Sequence, residues 1–280
     1  MLARLLGLVL SALVAAPALS AAAQPEVREF ELEAAPVRWE LQPGLVVDGW
    51  GYNGQVPGPE LRVREGDLVR VHLRNKLPVP TTIHWHGLDV PLAMDGVPGL
   101  SQPPVEPGGA FTYEFVATNP GTRWYHSHVD SNAQLELGLY GSLVVEPRLP
   151  EPVSFDREFT YLLDEKALDF TPEVALGTSQ LSRREAGNGR GGALQYDAFL
   201  INGRLSDAIP PLRIATGERV RLRLINAGNL PHAMHLHGHS FTLVASDGNA
   251  IPEAAQLRKD TVLLGPASAW WRCAGSVKPS

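Results

Sequence analysis

The sequence predicts an all-β protein built from two copies of one domain. Three observations carry this. Proline and glycine are frequent, 24 and 27 of 280 residues, and short runs alternate apolar with polar side chains. Such runs bounded by turn residues read as strands, and no long stretch carries the helical period. Third, the chain repeats itself. "LRVREGDLVRVHLRN" from Leu61 and "LRIATGERVRLRLIN" from Leu212 lie 151 residues apart and are identical at seven of fifteen positions. Gly66 pairs with Gly217, Val69 with Val220 and Asn75 with Asn226.

The elements follow in order. Residues 1–23 read as a secretory signal peptide: Arg4 gives the positive end, "LLGLVLSALVAA" the apolar run and "ALSAAA" the small residues at the cut. The apolar run falls short of the ~20 residues of a membrane span and Pro17 interrupts it. No twin arginine is present, which points to the general secretory route and a secreted or periplasmic product. The first domain is expected over 24–147, a proline-rich linker over 148–155, and the second domain over 156–280. "NGQ" at 53–55 and "NGR" at 202–204 are further counterparts. Apolar content of 44% suits a packed core. A net charge of −6 gives no nucleic-acid footprint, and the single cysteine, Cys273, excludes an intrachain disulfide. No later segment is apolar enough to span a membrane.

The repeat explains the histidines. At the same offset His84 falls on His235, His86 on His237 and Gly87 on Gly238, so "HWHG" and "HLHG" are one feature in two copies. Histidines two apart on a strand share a face, roughly 6–7 Å apart. Each can offer a ring nitrogen to one site. His126 and His128 in "WYHSH" make a third pair. Imidazole-only sites suit copper, zinc, iron or nickel. Six paired histidines exceed the about four ligands of one tetrahedral ion, which implies several ions if the two copies face each other. Several redox ions can pass multiple electrons to one substrate, which zinc cannot do. His72, flanked by Arg70 and Arg74 on alternate positions, reads as a solvated residue, and Met94 and Met234 as packing.

The chain resembles the multicopper oxidases, laccases included, from about Trp50 to Pro266. The segments that carry the resemblance are "NGQVPGPELRVREGD", "TTIHWHGLDVP", "MDGVPG", "PGTRWYHSH", "GLYGSLVVEP" and "HAMHLHGHSF". The resemblance implies two cupredoxin-like Greek-key β-sandwiches. It also implies one-electron oxidation of a small-molecule or metal-ion reductant, coupled to reduction of dioxygen to water. By motif, His84 and His235 match type 2 copper ligands. His86, His126, His128 and His237 match type 3 ligands, and His232 a type 1 ligand. Asp95 matches the acid that helps protonate reduced oxygen. Its plain alternative is an Asp-Gly turn. The chain length suggests the two-domain branch, whose copper cluster would form between subunits of a homotrimer.

The pattern breaks in two places. Ser127 stands between His126 and His128 where a type 1 copper would need cysteine, so the first domain should hold no blue copper. The family's closing His-Cys-His segment is not found. An offset of 159, pairing Pro107 with Pro266, projects it beyond Ser280. The tail "ASAWWRCAGSVKPS" looks like no family segment and Cys273 has no flanking histidine. The second sandwich is therefore expected to be incomplete at its C-terminus, with the type 1 site and part of the type 3 site absent. The alternative function is a copper-binding protein without turnover. The substrate stays open among phenols, metal ions and bile pigments.

Overall fold

The computed structural model describes residues 25–151, 153–182 and 195–274. The expected signal peptide lies outside these residues. Eight strands form the first unit: β1 (Val27–Gln42), β2 (Leu45–Tyr52), β3 (Gly58–Arg64), β4 (Leu68–Asn75), β5 (His84–His86), β6 (Ala110–Val116), β7 (Gly121–His126) and β8 (Tyr140–Glu146), with helix α1 (Ser131–Glu136) between the last two. They make two four-stranded sheets, ordered β2-β1-β4-β6 and β3-β8-β7-β5. The sheets bury a core that includes Val69, Val71, Leu73, Trp85, Tyr113, Tyr125 and Leu143. Alternation explains this: in β4 every second residue from Val69 is buried and the residues between reach water.

The second unit holds β9 (Arg157–Lys166), helix α2 (Pro172–Leu176), β10 (Ala198–Ile201), β11 (Val220–Asn226), β12 (His232–His235), β13 (Phe241–Ser246), β14 (Asn249–Ala250), β15 (Leu257–Lys259), β16 (Thr261–Leu264) and β17 (Ala269–Ala274). Its main sheet runs β10-β9-β11-β17-β13-β14, with β15 also on β13. Its second sheet is β12 with β16 alone.

The repeat is reproduced between the sheet β2-β1-β4-β6 and the run β10-β9-β11-β17 of the second unit. β1 runs parallel to β4, and β9 runs parallel to β11. Leu73 pairs with Phe111 across β4 and β6, and Leu224 with Trp270 across β11 and β17. The differences, 224 − 73 = 151 and 270 − 111 = 159, are the two offsets read from the sequence. The identical asparagines do identical work. The Asn75 amide donates to the carbonyls of Val79 and Val105. That of Asn226 donates to Leu230, Leu264 and Gly265. Each thereby fastens the loop that leads into a histidine strand.

One expectation fails here. The tail after Pro266 is not foreign to the fold: Ala269–Ala274 takes the place β6 holds in the first unit. A ladder is made by main-chain groups, so a strand can form where the side chains give no evident signal in the sequence. Conversely, "LRV" at 61–63 lies in β3, whereas "LRI" at 212–214 forms no strand. β3 takes its whole ladder from β8. Among the described residues the second unit has no counterpart of β7 or β8, so the segment has nothing to pair with. Leu212 and Ile214 still pack, half-buried, against Val220 and Leu222. Among the described residues the second sheet of the second sandwich is thus reduced to β12 and β16.

A buried ionic joint ties the units together. Arg223 donates to Thr122 Oγ1 and to Glu158 Oε2, each at 2.7 Å. Arg62 reaches Glu158 Oε1 at 2.9 Å, and Arg221 reaches Glu158 Oε2 at 3.3 Å. Burial opposes ionisation of Glu158, but Arg223 and Arg62 together hold its carboxyl down at about 2. Removing one partner of a buried pair strands the other charges at a cost of about 3–5 kcal/mol. Glu158 keeps some contact with water. Glu158→Gln is therefore expected to cost about 3 kcal/mol in denaturant unfolding at pH 7, the low end of that range. The ordinary carboxylate value is 4.5, so this contribution is present above it and is lost as pH falls toward about 2. The variant's stability should be flatter across that window.

Candidate metal centre

Three short segments build the first cluster. β5 and β7 pair antiparallel, setting His84 opposite His126 and His86 opposite Trp124. His128 follows β7 by two residues. Of the three pairs spaced two apart, only His84 and His86 share one strand among the described residues; His126 closes β7, and His237 lies past the end of β12. Between the histidines, Trp85 and Ser127 are fully buried, and Leu236 is half-buried against the core of the second unit. Ring nitrogens of His84, His86 and His126 all lie within 4.8 Å of one another. The His84 ring is central, 5.8 Å from His86 and 5.3 Å from both His126 and His128.

The surroundings fix which nitrogen each ring can offer. His84 Nδ1 lies 2.8 Å from the Asp95 carbonyl and 3.3 Å from its Oδ1. His126 Nδ1 lies 2.9 Å from the Ser127 carbonyl. A carbonyl only accepts, so both Nδ1 atoms carry the hydrogen and both Nε2 lone pairs stay free for a metal. Gly96, at φ +77°, allows the Asp95 turn to lie this close: a Cβ there would come within 1.8 Å of the Ile83 carbonyl. Trp124 stacks on His126, 4.3 Å between centroids, and lies tilted against His86 at 4.9 Å, covering one side of the cluster. A cavity of about 110 Å³ between the units lies beside His86, Trp124 and Asp247.

Burial, with the neighbouring imidazoles adding to it, lowers His86 to about 4. Burial likewise lowers His126 to about 3, against a hydrogen bond to Ser127 that opposes the shift. Both rings are therefore neutral at physiological pH, the state in which imidazole binds a metal. Clustered neutral imidazoles with free nitrogens fit a copper ion.

Ser127, in the place of the absent cysteine, turns away from the cluster. Its Oγ donates to Gln134 Oε1 at 2.5 Å, and Thr81 Oγ1 donates to the same oxygen at 2.8 Å. His235 and His237 form a separate pair, 5.0 Å between centroids, on an exposed surface. His235 Nδ1 donates to the Asp260 carbonyl at 2.9 Å, again leaving Nε2 free. Among the described residues no ring contact joins this pair to the first cluster, so the six do not converge within one chain. His232 faces inward, and its Nε2 lies 2.9 Å from Glu165 Oε1. His72 hydrogen-bonds Thr112, and Met94 and Met234 pack against the two cores. Cys273 stands in β17 opposite Arg221 and Thr242.

Sequence reasoning missed Glu165, Trp124 and the carbonyl acceptors. Glu165 had a signal: "DEK" at 164–166 closes an apolar strand, and all three residues are buried.

Comparison with known proteins gives the family. Multicopper oxidase family profiles match residues 33–150 and 179–274, the second running through β17. Copper resistance protein A of Pseudomonas syringae pv. tomato is 34% identical over 71% of this chain and 38% of its own length. Laccase-15 of Oryza sativa subsp. japonica is 36% identical over 76% of this chain and 36% of its own. The crystal structure of the blue copper oxidase from Nitrosomonas europaea aligns with a TM-score of 0.80 at 33% identity, covering 91% of this chain and 77% of that one. The chain belongs to the multicopper oxidase family, and its sandwiches are cupredoxin-like. It spans less than half the length of those two curated relatives.

The lowered histidines make stability pH-dependent. His126 titrates near 3 when folded and near 6.5 when unfolded, so between those values the unfolded chain binds the extra proton. Metal-free stability should be full above about 6.5 and fall as pH drops through this window, by up to about 1.4 kcal/mol per pH unit for each such ring. His126→Gln should flatten that slope in denaturant titrations run between pH 7 and 4.

Proposed function

We propose that this chain is a copper-dependent oxidoreductase that oxidises its substrate by one-electron steps coupled to reduction of dioxygen to water. One observation carries the reading: in a member of this family, the first unit gathers His84, His86 and His126 within 4.8 Å, with His128 in ring contact. His84 would hold the type 2 copper together with His235. His86, His126, His128 and His237 would hold type 3 copper, and His232 would belong to the type 1 site. Bound copper would supply the redox steps that carry electrons to dioxygen. The protein's part is to hold neutral imidazoles in fixed tautomers, to keep water off one side with Trp124, and to place Asp95 beside the ring it orients. Asp95, 28% exposed at its side chain, can both fix His84 and carry a proton.

The two histidine sets suit assembly between subunits. His235 and His237 sit exposed, with a free nitrogen on His235 and, among the described residues, no ring contact beyond each other, which would suit a homotrimer with copper at each interface. The sequence at 1–23 supports export to a periplasmic or extracellular site. No helix among the described residues is long and apolar enough to cross a membrane. Domains at 24–147 and 156–280, joined through 148–155, complete the reading.

Oxygen uptake by the copper-loaded protein with a phenolic reductant tests the function. Uptake that requires both copper and reductant is expected; tight copper binding without uptake would make it a copper carrier. Asp95→Asn keeps the main-chain bond to His84, so copper content should be unchanged while oxygen reduction slows by about 10²–10⁴. Unchanged turnover would leave Asp95 a turn residue. Cys273 has no histidine opposite it in either ladder, so the loaded chain should lack the intense blue of a cysteine-ligated copper. A blue band abolished by Cys273→Ser would contradict that.

A further inference from the structure

His86 lacks what His84 and His126 have. Those two each give Nδ1–H to a carbonyl of their own unit. Among the described residues no hydrogen bond reaches the His86 ring. A ligating histidine almost always gives its second ring hydrogen to a carboxylate, a carbonyl or a water. The His86 ring instead borders the cavity of about 110 Å³ between the units, together with Arg123, Trp124 and Asp247.

The second unit reaches this cavity with one turn. Asp247 and Gly248, both at positive φ, make the two-residue loop of the β13–β14 hairpin, a conformation that an Asp-Gly pair favours. Glycines let the turn press on β7: a Cβ at Gly121 would run into the Gly248 carbonyl, and one at Gly248 into the Thr122 carbonyl. The buried Arg123 then clamps it. Nη1 donates to the Asp247 carbonyl at 2.7 Å and Nη2 to Asn249 Oδ1 at 2.9 Å. Two longer bonds, at 3.4 Å, tie the same guanidinium to the carbonyls of Asn119 and Pro120 in the first unit.

The Asp247 carboxylate is itself lightly engaged. Ser246 Oγ donates to Oδ2 at 3.2 Å, and among the described residues nothing donates to Oδ1. Burial lowers His86, and Asp247 opposes that fall, as a nearby carboxylate does. A bridging water needs only about 10–15 Å³ of such a cavity and two or more polar partners.

We propose that Asp247 is the positioning residue for His86, taking the ring hydrogen through a water held in this cavity. The water accepts from the ring N–H and donates to the carboxylate, and Arg123 keeps the turn in reach. The proposal rests on His86 being a copper ligand, a reading supported by the gathering of His84, His86 and His126. It makes one ligand of the first unit depend on a turn of the second.

The test uses the whole chain, metal-free at pH 8, with ¹⁵N-labelled histidines and His86 assigned through His86→Gln. The ring nitrogen shifts report which nitrogen carries the hydrogen. Wild-type His86 should hold one tautomer. Asp247→Ala should mix both tautomers at His86 alone, and the copper(II) needed to broaden that ring should rise at least about tenfold. His84 and His126 should keep theirs, because their acceptors lie in the first unit. Asp247→Asn keeps one acceptor and should restore the single tautomer. Gly248→Ala keeps the carboxylate but lifts the turn, and should mix the tautomers as Asp247→Ala does. If that variant fails to fold, the two Asp247 variants decide, since Asp247 is exposed and its truncation opens no core. A single His86 tautomer that survives in Asp247→Ala, mixed tautomers in the wild type, an equal disturbance of His84 and His126, or an unchanged copper response overturns the proposal. If copper broadens His84 and His126 but never His86, the role of Asp247 falls while the copper reading stands. If copper broadens none of the three, the copper reading itself has failed.

Discussion

A histidine can bind a metal only through the nitrogen it has not already given away. That constraint organises the parts of this chain that matter for function. Each of four candidate ligands has one ring nitrogen engaged by the fold: His84 by the Asp95 turn, His126 by Ser127, His235 by the Asp260 carbonyl and His232 by Glu165. These bonds are worth only about 1 kcal/mol each to folding, a little more where charge assists. Their weight lies in fixing tautomer and ring direction, which free side chains would lose entropy to adopt on binding.

The same constraint explains why the surrounding structure looks as it does. The Asp95–Gly96 turn must press against the strand before His84, which only a glycine allows. The loops into β5 and β12 must be held in place, which Asn75 and Asn226 achieve by the same amide bonds in both units. Burial that makes His86 and His126 poor bases also keeps them neutral and ready. The Glu158–arginine joint then fixes one unit against the other, so that β7 sits against β11 and β17.

Much of this was legible in the sequence because repetition is a strong signal. Offsets of 151 and 159 relate equivalent positions in the two units, as in the pairs Leu73 with Phe111 and Leu224 with Trp270. The histidine pairs stood out because imidazole is rare and its spacing has a meaning. What stayed hidden depends on contacts between distant residues or on main-chain groups. Glu165 reaches His232 across 67 positions. The carbonyls of Asp95 and Asp260 have no letter of their own. The strand at Ala269–Ala274 was hidden for a related reason, since its ladder is made by main-chain groups. The lost strand at 212–214 depends on a partner rather than on its own residues.

The central claim is that the first unit holds copper through imidazole nitrogen alone. X-ray absorption of the copper-loaded chain tests it most directly. The account predicts nitrogen and oxygen scatterers with the multiple-scattering pattern of several imidazoles and no sulfur shell. Copper content should drop when His84 and His126 are both changed to alanine. A sulfur shell, or copper content indifferent to that double change, would contradict it.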